Sequence, residues 1–348
     1  MSASTSQGRN GQVERPSIVV LDGETLAPTE QRAAAPGSAE PDWDALSEFG
    51  SLRVYARTPP ELTVARALGA SIVLTNKTVL SRSHLEQLPD LRYIGVLATG
   101  TDVVDLAAAK ARGIVVSNVP RYSTESVVQH TFALLFALAS RTAEYDTAAR
   151  AGCWSEGPDF SLRLFPTREL SGKLLGIVGL GAIGGRVAQV GHALGMRIAA
   201  AHRPGGVRSE LDPIPILWLG LDDLFAHADV VTLHCPLTPE TRALVSAERL
   251  AKMKPGALLI NTARGALVDE SALAEALARG TPAGAGLDVL TEEPPRAGHP
   301  LLVAPHCLIT PHVAWTTLEA RERLMAKVVD NVRQFLDQAD AGEATRRT

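Results

Sequence analysis

Leu174-Leu175-Gly176-Ile177-Val178-Gly179-Leu180-Gly181-Ala182-Ile183-Gly184 is an apolar run that breaks into closely spaced glycines. The run has the character of a strand buried on both faces. Beyond it, Ile183, Val187 and Val190 recur on one side of a helix expected over residues 182–194. Strand, glycine turn and helix in that order form a phosphate cradle. Gly179 permits the tight turn, Gly181 lets a pyrophosphate approach the backbone, and Gly184 lets the helix pack on the strand. Ala182 and Ile183 begin the helix, whose unpaired N–H groups and positive dipole end face the phosphates. Glycines alone carry little weight. Their place between a strand and a helix points to a dinucleotide site.

Upstream of this unit the chain already alternates strands and helices. Buried-strand runs are expected at 17–22, 52–55, 71–74, 93–97 and 114–117, with a helix opening at Pro60. Residues 27–41, rich in Pro, Ala and Glu, read as a loop. A long helix is expected over 126–151. Downstream, strands fit 197–201, 230–233, 257–260 and 284–289, and a last helix fits 317–336. Repeated βα alternation implies parallel sheets covered on both faces, so the fold class is α/β. The 348 residues suggest two such domains.

The bulk numbers exclude several classes. With 45% hydrophobic residues, 21% charged residues and a net charge of -4, the composition is that of an ordinary globular protein. Nothing in it points to nucleic acid or to an anionic membrane. Cys153, Cys235 and Cys307 are far apart and odd in number, which speaks against a disulfide framework and a structural zinc site. Reduced thiols and a cytoplasmic setting follow as the simplest expectation. No stretch has the length of a membrane span. Residues 1–15, polar and lacking an apolar core, are expected to be a disordered tail, and 339–348 a flexible one.

The end of the second strand should carry an acid for the ribose of NAD, about 20 residues beyond the first glycine. His202-Arg203 stands there instead. A carboxylate repels a 2'-phosphate, whereas an arginine pairs with one, so NADP(H) is favoured over NAD(H). The alternative is that Arg203 is solvated or stacks on adenine, and NAD(H) is used.

Three later segments each follow a strand-like run: Asn261-Thr262-Ala263-Arg264-Gly265, Gly286-Leu287-Asp288-Val289-Leu290-Thr291-Glu292-Glu293-Pro294, and Thr310-Pro311-His312-Val313-Ala314-Trp315. Side chains there belong at the ligand-binding edge of an α/β sheet. Hydride transfer to a 2-keto acid needs a cation for the carboxylate and ketone, an acid for the oxygen, and a group that holds that acid charged. Arg264 suits the first through its fork of donors. His312 suits the second, with a reference pKa of about 6.5. Glu293 suits the third, because a carboxylate beside an imidazole favours its charged form and fixes its orientation. No metal-ligand spacing is present, and none is needed.

These segments resemble the D-isomer-specific 2-hydroxyacid dehydrogenase family over about residues 17–336. The resemblance implies Arg264, Glu293 and His312 as catalytic residues. It selects Glu293 over Glu292, as the acid before Pro294, and His312 over His306. Asp288 carries over as the ligand of the nicotinamide amide. Thr262, Ala263 and Arg264, and the loop of His234, Cys235 and Pro236 with Thr241, carry over as cofactor contacts, with His312 beside the nicotinamide. Thr99 and Gly100 resemble the cradle for the substrate carboxylate, and Lys77 is a candidate to attract it, together with Arg264 and His312. The family implies a flavodoxin-like substrate domain, 16–119 plus 306–338, and a Rossmann cofactor domain, 120–305. It also implies a homodimer.

Several strings resemble the glycerate dehydrogenase (hydroxypyruvate reductase) branch, including Leu74-Thr75-Asn76-Lys77-Thr78 and Tyr122-Ser123-Thr124-Glu125-Ser126. The expected reaction is therefore reduction of hydroxypyruvate or glyoxylate to D-glycerate or glycolate. The alternatives are a non-catalytic dinucleotide-sensing, corepressor-like protein, or a dehydrogenase of the same fold acting on phosphoglycerate, phosphite or formate.

Overall fold

The computed structural model describes residues 15–27, 41, 43–201 and 214–346. The expected tail at 1–15 apart from Arg15, most of the expected loop at 27–41, and the His202-Arg203 pair lie outside these residues. The chain forms two compact units. One comprises Met1–Tyr122 with Thr317–Thr348, the other Ser123–Thr316.

The smaller unit holds β1 (Ser17–Val20), β2 (Ser51–Val54), β3 (Ile72–Thr75), β4 (Tyr93–Val96) and β5 (Val115–Ser117). Their order is β2-β1-β3-β4-β5 with every pair parallel, the flavodoxin-like doubly wound arrangement. β3 and β4 are buried at every position, while the edge strands β2 and β5 alternate or lie half-exposed. Apolar content along each strand thus tracks its place in the sheet.

The larger unit holds β6 (Leu174–Val178), β7 (Arg197–Ala201), β8 (Ile216–Leu219), β9 (Val230–Leu233), β10 (Leu258–Asn261), β11 (Gly284–Leu287) and β12 (Cys307–Ile309). The order is β12-β11-β10-β9-β6-β7-β8, again all parallel. Strand order reverses between β6 and β9, which opens a crevice at their carboxyl ends.

Four sequence expectations change. The helix over 126–151 is two helices, Thr124–Ser140 and Thr142–Arg150, broken at Arg141 with φ +54°. Arg141 is 9% exposed and bonds Glu144 at 2.8 Å and His306 Nδ1 at 3.1 Å, so tertiary partners hold the break. Residues 306–316 stay with the larger unit instead of returning at Pro305, because β12 pairs with β11. The edge strand β8 was not read from sequence. The last helix, Leu318–Arg346, extends through most of the expected tail from 339, over a stretch rich in helix formers such as Ala341, Glu343 and Ala344. No described helix is long and apolar enough to cross a membrane.

Candidate active site

The glycine loop leaves β6 at the reversal point. Gly179 has φ +98°, and a Cβ there would lie 2.6 Å from the backbone nitrogen of Cys235. The loop after β9 therefore packs directly on it, and the N–H of His234 donates to the carbonyl of Val178 at 2.8 Å. A Cβ on Gly184 would overlap the carbonyl oxygen of Gly179, so the helix Ala182–Ala193 seats on the strand only with glycine there. A Cβ on Gly181 would meet nothing within 4 Å. The cradle is thus closed on its protein side and open at the one glycine that should face a pyrophosphate, which fits a bound dinucleotide.

The turn after β9 packs on this loop and is held by its own bonds. His234 hydrogen-bonds Thr232 Oγ1 at 2.9 Å, and burial pushes its imidazole down to about 3, so it is neutral near pH 7. Burial also raises the Cys235 thiol. Thr241 Oγ1 donates to the carbonyl of Pro236 at 2.8 Å and accepts from the N–H of Thr238 at 2.7 Å, which closes the turn. Cys307 is pushed up to about 12 by burial, and Cys153 is exposed rather than packed.

Arg264, Glu293 and His312 follow β10, β11 and β12, three adjacent parallel strands, so their loops leave one edge of one sheet. Asn261, fully buried, shapes the first loop. Its Oδ1 accepts from the N–H of Ala263 at 3.0 Å, and its Nδ2 donates to the carbonyl of Arg264 at 2.8 Å. Thr262 Oγ1 lies 3.1 Å from Thr131 Oγ1. The Arg264 guanidinium donates to the carbonyl of Ala263 at 2.8 Å. A Cβ on Gly265 would overlap the backbone of Leu290 and Thr291, so glycine allows the Arg264 turn to lie against the loop that carries Glu293.

His312 Nδ1 meets Glu293 Oε2 at 2.6 Å, and Glu293 Oε1 accepts from the N–H of Leu290 at 3.1 Å. Their side chains are 27% and 30% exposed. The carboxylate only accepts, so the imidazole places a hydrogen on Nδ1. His312 has φ +56°, a left-handed conformation that a side chain adopts at a cost and that clusters at functional sites.

Asp288 holds that conformation. It is 1% exposed. Its Oδ1 accepts from Thr310 Oγ1 at 2.6 Å and from the N–H of Val313 at 2.9 Å, and its Oδ2 accepts from the N–H of Ala314 at 2.9 Å. His130 Nε2 lies 3.4 Å from Oδ1. Burial pushes this carboxyl up, but the bonds from His130, Thr310, Ala314 and Val313 outweigh burial and hold it below the usual carboxylate range. The carboxylate is turned inward and pins the two amides after His312.

Lys77, Thr99 and Gly100 belong to the smaller unit, in loops after the neighbouring strands β3 and β4. Lys77 is exposed. Sequence reasoning missed the group that shapes its loop. Asp22, buried at the end of β1, accepts from the N–H groups of Asn76, Lys77 and Thr78 at 2.8, 2.6 and 2.7 Å. Thr99 Oγ1 donates to the carbonyl of Val119 at 3.0 Å, and Asn118 Nδ2 donates to the carbonyl of Thr99 at 2.6 Å.

Comparison with known proteins is consistent with this geometry. The family described as D-isomer specific 2-hydroxyacid dehydrogenase, NAD binding domain, matches residues 132–314. A hydroxypyruvate reductase of Blautia hydrogenotrophica is 40% identical over 324 residues, covering 92% of this chain and 96% of the relative. A glycerate dehydrogenase of Methylorubrum extorquens is 45% identical over 280 residues, covering 80% and 86%. Among solved structures, the TT0316 protein of Thermus thermophilus has a TM-score of 0.80 and 38% identity, over 92% of this chain and 97% of that one. Fold, cradle and relatives agree on an oxidoreductase that uses a nicotinamide cofactor. The chain belongs to the D-isomer-specific 2-hydroxyacid dehydrogenase family, on its hydroxypyruvate reductase and glycerate dehydrogenase branch.

Proposed function

We propose that this enzyme reduces hydroxypyruvate or glyoxylate to D-glycerate or glycolate, with NADP(H) preferred over NAD(H). The observation that carries the chemistry is the 2.6 Å contact between His312 Nδ1 and Glu293 Oε2. Glu293 occupies Nδ1, so Nε2 is the atom that delivers a proton to the ketone oxygen in reduction and takes it back in oxidation. Arg264 engages the substrate carboxylate and polarises the ketone through its fork of donors. Gly179, Gly181 and Gly184, the amide groups of Ala182 and Ile183, and the 234–236 loop with Thr241 form the cofactor cradle. Thr262 and Ala263 are further cofactor contacts in this reading. The bound nicotinamide supplies the hydride. The family resemblance adds Lys77, Thr99 and Gly100 as candidates for the substrate carboxylate.

The substrate assignment draws on the hydroxypyruvate reductase and glycerate dehydrogenase relatives. The cofactor preference draws on His202-Arg203, where an acid for the NAD ribose is absent. The homodimer implied by the family resemblance and the cytoplasmic setting expected from the three scattered cysteines go with this reading.

A panel of 2-keto acids with each cofactor tests it. Hydroxypyruvate and glyoxylate are expected to give the highest kcat/KM, above pyruvate and above a phosphorylated three-carbon acid. NADPH is expected to exceed NADH. A higher kcat/KM for the phosphorylated acid would replace the substrate assignment, and a preference for NADH would replace the cofactor assignment.

A further inference from the structure

The loop over residues 290–299 carries Glu293 between β11 and β12, and both of its ends meet one side chain. Glu270 Oε1 accepts from the backbone N–H of Thr291 at 2.7 Å, and Oε2 meets His299 Nε2 at 3.1 Å. The orientation of the His299 ring is set from its other side. Nδ1 accepts from the N–H of Leu301 at 3.3 Å, so the ring hydrogen sits on Nε2 and points at Glu270. The two side chains are 15% and 13% exposed, which limits competition from water. Glu270 stands in the first turn of the helix Glu270–Ala278, where the helix dipole favours a carboxylate.

Glu270 and Glu293 hold consecutive amides of the same turn. The N–H of Thr291 goes to Glu270, and that of Leu290 goes to Glu293. A turn fastened at Thr291 presents the Leu290 N–H in one direction, and Glu293 is oriented by it with Oε2 toward His312. An acidic residue that served only to start its helix would have no need of His299 or Thr291.

We propose that Glu270 is a positioning residue: it fastens both ends of the 290–299 loop and so sets the contact between Glu293 and His312. This inference rests on the roles given above to Glu293 and His312.

Amide hydrogen exchange and steady-state kinetics on the 348-residue chain test it. Glu270→Ala is expected to lose exchange protection at Leu290 as well as at Thr291. It is expected to lower kcat by up to roughly 100-fold, the scale of a small misplacement of reacting groups, with the KM for cofactor unchanged. Glu270→Gln keeps a carbonyl oxygen for Thr291 and should fall between wild type and Ala. In a Glu293→Ala background, Glu270→Ala should cost no further kcat, because the group it positions is gone.

Retained protection at Leu290 in Glu270→Ala would overturn the proposal, as would an equal loss of kcat in both backgrounds. If Glu270→Ala does not fold, Glu270→Gln carried through the same measurements decides. The exchange arm needs no turnover. A wild-type protein inactive on keto acids would therefore sink the catalytic reading, and the positioning claim would still be judged at Leu290.

Discussion

Replacing His312 with alanine is expected to lower kcat for keto-acid reduction by about 10²- to 10⁴-fold, the usual contribution of a positioned general acid. The substitution removes the imidazole that Glu293 contacts at 2.6 Å. An alanine keeps a Cβ, so the left-handed backbone at φ +56° is not relieved, and thermal stability should be little changed or slightly lowered. Cofactor titration by fluorescence should still show binding, because the glycine cradle at 179–184 is untouched. The combination of lost turnover, retained nucleotide binding and retained stability separates a catalytic histidine from a structural one. A variant that kept kcat within about tenfold of wild type would remove His312 from the proton path.

The second large effect concerns the cradle, where two glycines should fail in different ways. Gly184→Ala drives a Cβ into the carbonyl oxygen of Gly179, so the helix must lift from its strand. An overpacked contact of this kind costs about 1–3 kcal/mol. In a unit of this size that lowers Tm by roughly 2–4 °C for each kcal/mol, and cofactor affinity falls with it. Gly181→Ala places its Cβ where no protein atom lies within 4 Å. Its Tm should hold while cofactor affinity drops, because the methyl occupies the space a pyrophosphate needs. Calorimetry paired with cofactor titration reads both quantities. Equal affinity for cofactor in Gly181→Ala and wild type would mean that the dinucleotide does not pass this loop as described.

What the sequence discloses depends on how local its signal is. The buried strands β3, β4, β6, β9, β10 and β11 are continuous apolar runs and could be read directly. The edge strand β12 is three half-buried residues, and its allegiance to β11 is a long-range pairing with no local mark. For that reason the return to the smaller unit came out about ten residues early. Arg264, Glu293 and His312 stand out because each follows a strand and each has a side chain suited to one step. The groups that hold the candidate-site loops do not. Asp22 acts on amides more than 50 residues away, and Asp288 on amides 25 and 26 residues away. Glu270 reaches across 21 and 29 residues. Apart from the His299 ring, these partners are backbone N–H groups, which mark no particular place in a sequence. The break at Arg141 is similar, since its partners Glu144 and His306 come together only in the fold.

The central claim is that His312, oriented by Glu293, protonates a small 2-keto acid as the nicotinamide delivers its hydride. The most direct measurement mixes purified wild-type protein with hydroxypyruvate and NADPH or NADH, and follows nicotinamide absorbance together with the configuration of the product. The account predicts cofactor oxidation matched one for one by D-glycerate. No oxidation of either cofactor, or formation of the L product, would contradict it.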